Sequence, residues 1–211
     1  MSKVLLIAEH DGQTLNPSIA KCVACAAGID GAAIDVAVFA GSAGTVAAEA
    51  AQLAGVSKVL TIESEANSEA LAAVIAPQVV NVAAGYTHVF GPSTTFGKDL
   101  MPRVAALLGV NQISDVMSVE GSHTFKRPIY AGNVVLTVEA PADLPVVATV
   151  RTASYSAVDT GNSAPVEAIE CNVELPTHTR FVELQAGSSD RPDLQTAAKV
   201  VSGGRALASS E

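Results

Sequence analysis

The sequence predicts an α/β protein: an open, mostly parallel sheet with helices on both faces, a Rossmann-like three-layer arrangement, with antiparallel strands added in the second half. Short apolar runs alternate with longer Ala-rich segments from Lys3 to about Val110, as repeated βαβ units require. The apolar runs are continuous rather than alternating with polar residues, which is how strands read when helices cover both faces. Of the 211 residues 49% are hydrophobic but only 4% aromatic, so Ala, Val, Leu and Ile supply the apolar mass and allow close packing of helix on sheet.

Four strands are expected in this half, at KVLLIAE, IDVAVFA, KVLTI and THVFG. Between the first two, the segment from Asn16 to Ala27 opens with a capping residue and Pro17 and stops at Gly28, which marks a helix. TVAAEAAQLAG gives a second helix, ended by Gly55. A third is expected over Asn67 to Val82, where Leu71, Val74, Ile75, Val79 and Val82 share one face, with a kink at Pro77. After the fourth strand, Ser93, Thr94 or Thr95 can cap a helix that includes Asp99 and Pro102 in its early turns and stops at Gly109.

The texture then changes. HTFKRPIYAG and NVVLTVEAP read as a hairpin turning at Gly132-Asn133, and LPVVATVR as a further strand. Thr152 to Ser189 is rich in Ser, Thr, Asn and Pro, a surface connector with one strand-like stretch, PVEAIECNVEL. Finally Lys199 to Arg205, KVVSGGR, reads as a short strand entering a Gly-rich turn. A lone strand cannot bury its own apolar face, so the expected division is an N-terminal domain over 1–186, then a linker and the first strand of a truncated domain over 187–211.

Composition excludes several roles. Against 12 Lys+Arg stand 21 Asp+Glu, a net charge of −9, with no basic run to neutralise a phosphate backbone or an anionic leaflet. Nucleic acid and membrane insertion are therefore not expected, and no apolar stretch approaches the roughly 18 residues that span a bilayer. Three cysteines cannot all pair, and the leader-like features of secretory or transit peptides are missing from MSKVLLIAE. The expected compartment is the cytoplasm for a bacterial chain, or the mitochondrial matrix for a processed eukaryotic one.

Cys22 and Cys25 form a CxxC, but on an Ala-rich helix they read more simply as small residues of a core. His10, His88, His123 and His178 show no metal-ligand spacing, and no metal is expected. Glu9-His10-Asp11 follows the first strand at the sheet edge where such folds bind ligands, or forms a loop that merely caps and packs. Ser93-Thr94-Thr95 could hold a phosphate or cap a helix. Lys126, Arg127 and Arg151 are scarce cations suited to exposed pairs, with Arg151 also a candidate for function. Arg205, directly after Gly203-Gly204, is better placed to meet an anionic cofactor. No GxSxG, P-loop or early GxGxxG is present, and no nucleophile–base pair marks catalysis, so no catalytic residue is assigned.

Taken together, VLLIAEH, GVSKVLTI, THVFGPSTTFGKDLMPRVAALLGVNQISDV, RPIYAGNVVLTV, VATVR, SDRPDL and KVVSGGRAL resemble the α subunit of electron-transfer flavoprotein over nearly the whole chain. The resemblance implies an N-terminal α/β domain without a cofactor of its own, followed by the opening of an FAD-binding domain. It implies a heterodimer whose β subunit carries AMP. It also implies electrons received from acyl-CoA dehydrogenases and similar flavoenzymes and passed to a quinone oxidoreductase. Such a protein is an electron carrier rather than an enzyme, and its flavin, not acid–base side chains, does the chemistry. Arg205 is the flavin contact that carries over, effective only with the rest of its domain, so no FAD is expected on this chain alone. The alternative is an AMP- or ATP-binding α/β module without a redox role, using Glu9-His10 and Ser93 to Thr95.

Overall fold

The computed structural model describes residues 1–185, 194, 197 and 199–208. The chain divides into two compact units, Met1–Phe181 and Val182–Glu211.

The first unit is built on a seven-stranded parallel sheet. Its strands are β1 (Lys3–Ile7), β2 (Ala33–Ala40), β3 (Val56–Glu63), β4 (His88–Pro92), β5 (Gln112–Val116), β9 (Val146–Val150) and β10 (Val166–Ala168), and its order is β10-β3-β2-β1-β4-β9-β5. The chain steps outward from β1 through β2 to β3, then returns to place β4 on the other side of β1. The strand order therefore reverses between β1 and β4, and in open α/β sheets ligands bind outside the carboxyl ends of the strands at that point.

Val4 to Ile7 are wholly buried, and their alternation divides the core in two. Val4 and Leu6 face helices α1 (Ser18–Ala26) and α2 (Gly44–Ala51), while Leu5 and Ile7 face α3 (Ala72–Val82) and α4 (Thr95–Leu108). A strand sandwiched in this way must be apolar at every position, which is why the continuous runs were diagnostic. Cys22 and Cys25 lie in the α1 core with no solvent exposure, and burial pushes both thiols well up from their ordinary range. They are small core residues, as expected of a CxxC on an Ala-rich helix.

The third helix starts later than the periodicity suggests. Glu65–Asn67 forms a separate 3-10 turn capped by Ser64, and α3 begins at Ala72. The buried Asn67 side chain explains the interruption. Its amide donates to the Ile62 carbonyl (3.1 Å) and to Gln78 (3.0 Å), and Gln78 donates back at 2.6 Å, so Asn67 is held against the end of β3 instead of entering the helix. The helix then runs on through Pro77.

The hairpin does not extend the main sheet. Strands β6 (Ser118–Val119), β7 (Thr124–Ile129) and β8 (Val134–Glu139) form an antiparallel sheet of their own, and β9 joins the main sheet parallel, between β4 and β5. Phe125 anchors the small sheet. It is fully buried on the α1–α2 side of the core, edge-on to Phe90 of β4 with ring centroids 6.2 Å apart. His88 adds a second tie, donating from Nε2 to the Ser122 carbonyl at 2.6 Å. β5 gave no separate strand expectation, because Ser114 and Asp115 interrupt its apolar pattern. Asp115 sits at φ 56 within a bulge of the β5–β9 ladder.

Among the described residues of the connector, only Val166–Ala168 forms a strand. In the second unit Lys199 to Val201 are irregular, and the expected strand does not form. A strand needs a neighbouring ladder to satisfy its backbone groups, and none is paired to these residues in the described part. Arg205–Leu207 is a 3-10 turn. The Ser189 to Asp193 part of SDRPDL, and the proposed boundary at 186/187, lie outside the described residues.

Candidate functional site

Two strand ends meet at the reversal point. Glu9 follows β1, and Ser93-Thr94 follow β4, immediately before α4. Thr94 is the N-cap of α4: its hydroxyl accepts from Gly97 N (3.4 Å) and donates to Glu9 Oε2 at 2.8 Å. Ser18, at the start of α1, also donates to Glu9 Oε2, at 3.4 Å. The Glu9 carboxylate therefore rests at the N-termini of two helices, where their macrodipoles favour negative charge. Burial raises its pKa above the usual carboxylate value, against the opposing pull of the Thr94 and Ser18 hydroxyls and of His10.

A phosphate entering here would need the same donors. Glu9 already takes them, so the position at which such a sheet offers an anion site carries the chain's own anion. This weighs against a nucleotide at Glu9-His10 and Ser93 to Thr95. Ser93 Oγ is buried with no hydrogen-bond partner among the described residues, and Thr95 is exposed as the first helical residue, so of the three hydroxyls Thr94 alone joins Glu9. Ser18 was not foreseen. Its signal was positional: the residue that opens the helix after the first strand of such a sheet faces the reversal point.

His10 and Asp11 hold the loop rather than a ligand. His10 Nδ1 accepts from Gly12 N (3.0 Å), which leaves the proton on Nε2 to donate to the Phe39 carbonyl at 3.0 Å and tie the loop to β2. Asp11 accepts from the backbones of Gln13 and Thr14 and from the Thr14 hydroxyl, which lowers its pKa to about 2. Replacing Glu9 with Gln keeps an acceptor for Thr94 and Ser18 and removes the charge that burial disfavours. Because a raised carboxylate destabilises the fold above its folded pKa, we expect Glu9→Gln to melt higher at pH 7 by no more than a few degrees. The wild-type gain in stability as pH falls towards the ordinary Glu value of 4.5 should be absent from the variant, and parallel melts across that range decide the point.

The remaining candidates are dispersed. Arg151 is exposed just after β9, and its backbone N–H donates to Val116 O at 2.9 Å. Lys126 pairs with Glu120 at 3.1 Å on the surface, whereas Arg127 donates from Nε to the Ser114 carbonyl at 2.8 Å and holds β7 against β5. His88 and His123 come together at 5.7 Å between ring centroids, a proximity no spacing suggested, and burial, the largest influence, pushes the His88 pKa down. His178 lines a separate shallow recess with Arg103 and Pro77. Among the described residues no three His, Cys, Asp or Glu side chains gather as metal ligands, and no helix is long and apolar enough to cross a membrane. Arg205 is exposed at the head of its 3-10 turn, behind Gly204.

Comparison with known proteins gives one consistent result. Residues 4–174 match the family described as the electron transfer flavoprotein domain. Electron transfer flavoprotein subunit alpha of Pseudomonas aeruginosa is 42% identical over 205 residues, covering 97% of this chain and 65% of that protein. The Paracoccus denitrificans protein of the same name is 42% identical over 211 residues, covering 99% and 67%. The mitochondrial subunit alpha of Dictyostelium discoideum is 35% identical over 225 residues, covering 100% of this chain and 63% of the relative. The chain thus spans about two thirds of the length of the relatives it matches.

Proposed function

The chain belongs to the electron transfer flavoprotein family, and from that premise we propose that it serves as the docking and support part of an α subunit in a two-subunit electron carrier. The β subunit is its partner, FAD is the redox group of the assembled protein, and AMP belongs to the β subunit. Acyl-CoA dehydrogenases and related flavoenzymes supply the electrons, and a quinone oxidoreductase takes them. The carrier works in the cytoplasm of a bacterium or in the mitochondrial matrix of a eukaryote. The observation that carries this reading is the alignment of nearly the whole chain with proteins named subunit alpha.

The site geometry supports a supporting role rather than a catalytic one. At the reversal point Glu9 takes the Thr94 and Ser18 hydroxyls, which favours a scaffold over a nucleotide module. For FAD, the described part of the second unit offers one exposed guanidinium, at Arg205, in a Gly-rich turn. These residues alone do not fit an isoalloxazine, which needs an apolar, water-excluding cavity. We assign Arg205 to flavin contact only in a chain that carries the rest of the binding surface.

Native mass spectrometry after co-expression with a β subunit tests the proposal. The expected result is a heterodimer containing the 211-residue chain, with the chain alone free of flavin. A chain that binds AMP by itself, or ignores the β subunit, overturns it.

A further inference from the structure

His88 has no solvent exposure, and it sits where the two sheets meet. Strand alternation points its ring, like that of Phe90, to the α1 side of the main sheet. There it lies edge-on to Phe90 at 5.7 Å and to Phe125 at 6.4 Å, and 5.7 Å from the ring of His123 in the turn between β6 and β7. The backbone bonds of that turn stay within the small sheet, from Glu120 N to the Thr124 carbonyl (2.9 Å) and from Ala140 N to the His123 carbonyl (2.8 Å). Among the described residues, the bond from His88 to the Ser122 carbonyl is therefore what ties the turn to the main sheet.

The hydrogen bonds around His88 accommodate a second proton. With the ring neutral and its proton on Nε2, Nδ1 accepts from the Thr87 hydroxyl at 2.8 Å. Thr87 Oγ also lies 3.0 Å from the Lys3 carbonyl and accepts from Lys3 N at 2.9 Å. A protonated Nδ1 donates to Thr87 Oγ, and the hydroxyl turns its own proton to the Lys3 carbonyl, so neither state leaves a group unpaired. What opposes the charge is its surroundings. Burial lowers the His88 pKa most, the Ser122 bond partly offsets it, and His123 lowers it further.

No neighbour compensates. The other ionisable groups on the elements packed around the ring are Lys3 of β1, Lys21, Cys22 and Cys25 of α1, Glu120 and Lys126 flanking the β6–β7 turn, and Glu139 of β8; β9 carries none, and α4 covers the opposite face. Glu120 and Lys126 pair with each other at 3.1 Å, and burial holds both thiols neutral. Among the described residues no carboxylate lies within ion-pair reach of either imidazole.

We propose that His88 and His123 form a proton-operated latch: in mild acid the pair takes up charge that the closed cover leaves without a counter-ion, the turn and Phe125 lift away, and the small sheet leaves a main sheet that stays folded. Opening admits water to both rings and lets the two charges separate. A sheet of three short strands without a core behind it is marginal in water, so its ladder frays once Phe125 departs. The α3–α4 half of the core contains neither Phe125 nor Phe90 and keeps its packing. Because the folded His88 pKa is depressed, the latch is shut above the ordinary value of 6.5 and loses stability as pH falls below it.

Amide hydrogen exchange on the 211-residue chain at about pH 7.5 and about pH 5.5, each corrected for the intrinsic rate, tests the latch. Opening of β6, β7 and β8 should become severalfold more frequent in acid, up to about tenfold, the limit for one histidine a unit below its ordinary pKa, while β1 and β2 change less. No acceleration, or equal acceleration in both sheets, overturns the proposal. His88→Gln keeps a donor for the Ser122 carbonyl and cannot titrate, so the acid enhancement should vanish; its persistence in the folded variant also overturns it. His123→Gln, at a partly exposed position, serves if His88→Gln fails to fold. With the second charge gone and His88 in place the enhancement should shrink, and an undiminished one overturns the pairing.

Discussion

Replacing Gly97 by alanine should sharply lower the stability of the fold. A Cβ built on Gly97 falls inside the van der Waals envelope of the Pro92 carbonyl oxygen and also crowds the carbonyl carbon. No rotamer relieves the clash, because both sides are backbone. The first turn of α4 is also where Thr94 caps the helix and donates to Glu9, so moving the helix off β4 breaks that contact as well. A loss of about 4 kcal/mol, at the upper end of single-substitution effects, is a large part of the 5–15 kcal/mol that holds a typical domain. Urea denaturation followed by far-UV circular dichroism checks it. A Gly97→Ala chain with a wild-type midpoint would show that α4 can be displaced at little cost, contrary to the packing described.

Phe125→Ala should cost about 3–5 kcal/mol, as expected for truncating a fully buried aromatic side chain, and the damage should be uneven. The Phe125 ring joins the antiparallel sheet to the main core through Phe90 and His88, at 6.2 and 6.4 Å between centroids. Hydrogen exchange should therefore accelerate in β7 and β8 well before β1 or β2. The pH dependence changes as well. Burial depresses the His88 pKa in the folded chain, so unfolding takes up a proton once pH drops below the ordinary histidine value near 6.5, and wild-type stability falls as pH is lowered through that window. Opening the cover over His88 lets its pKa return towards normal, and the variant should show a shallower acid loss. Equal exchange rates in both sheets would overturn the role given to Phe125.

Much of the fold was legible because burial on both faces leaves little choice of residue. β1 to β4 and the helices between them follow from continuous apolar runs and from Gly and Ser/Thr boundaries. The errors have local causes. Periodicity extends the third helix to Asn67 because that residue's amide network with Ile62 and Gln78 is tertiary and leaves no periodic trace. β5 escaped because a bulge at Asp115 breaks its alternation. Local propensity favours a strand at Lys199 to Val201 but cannot supply a ladder partner. At the site, Glu9 and Thr94 were legible as strand-end residues, but not that they bond to each other, nor that Ser18 completes the set. The demand for Gly97 was hidden too, since it arises from the approach of α4 to Pro92.

The position of β9 has a consequence for how the chain is made. β5 touches the main sheet only through β9, yet its residues 112–116 leave the ribosome ahead of residues 146–150. At about 5–20 residues per second, β5 waits some seconds with Ile113 and Val116 uncovered, while β1 to β4 already have one another. Synthesis thus imposes an order: the four-strand core with its helices first, then β5, the hairpin and β9 closing together, and β10 last across β3. A pause or break between the codons for β5 and β9 would strand the nascent chain with a complete centre and an unfinished edge.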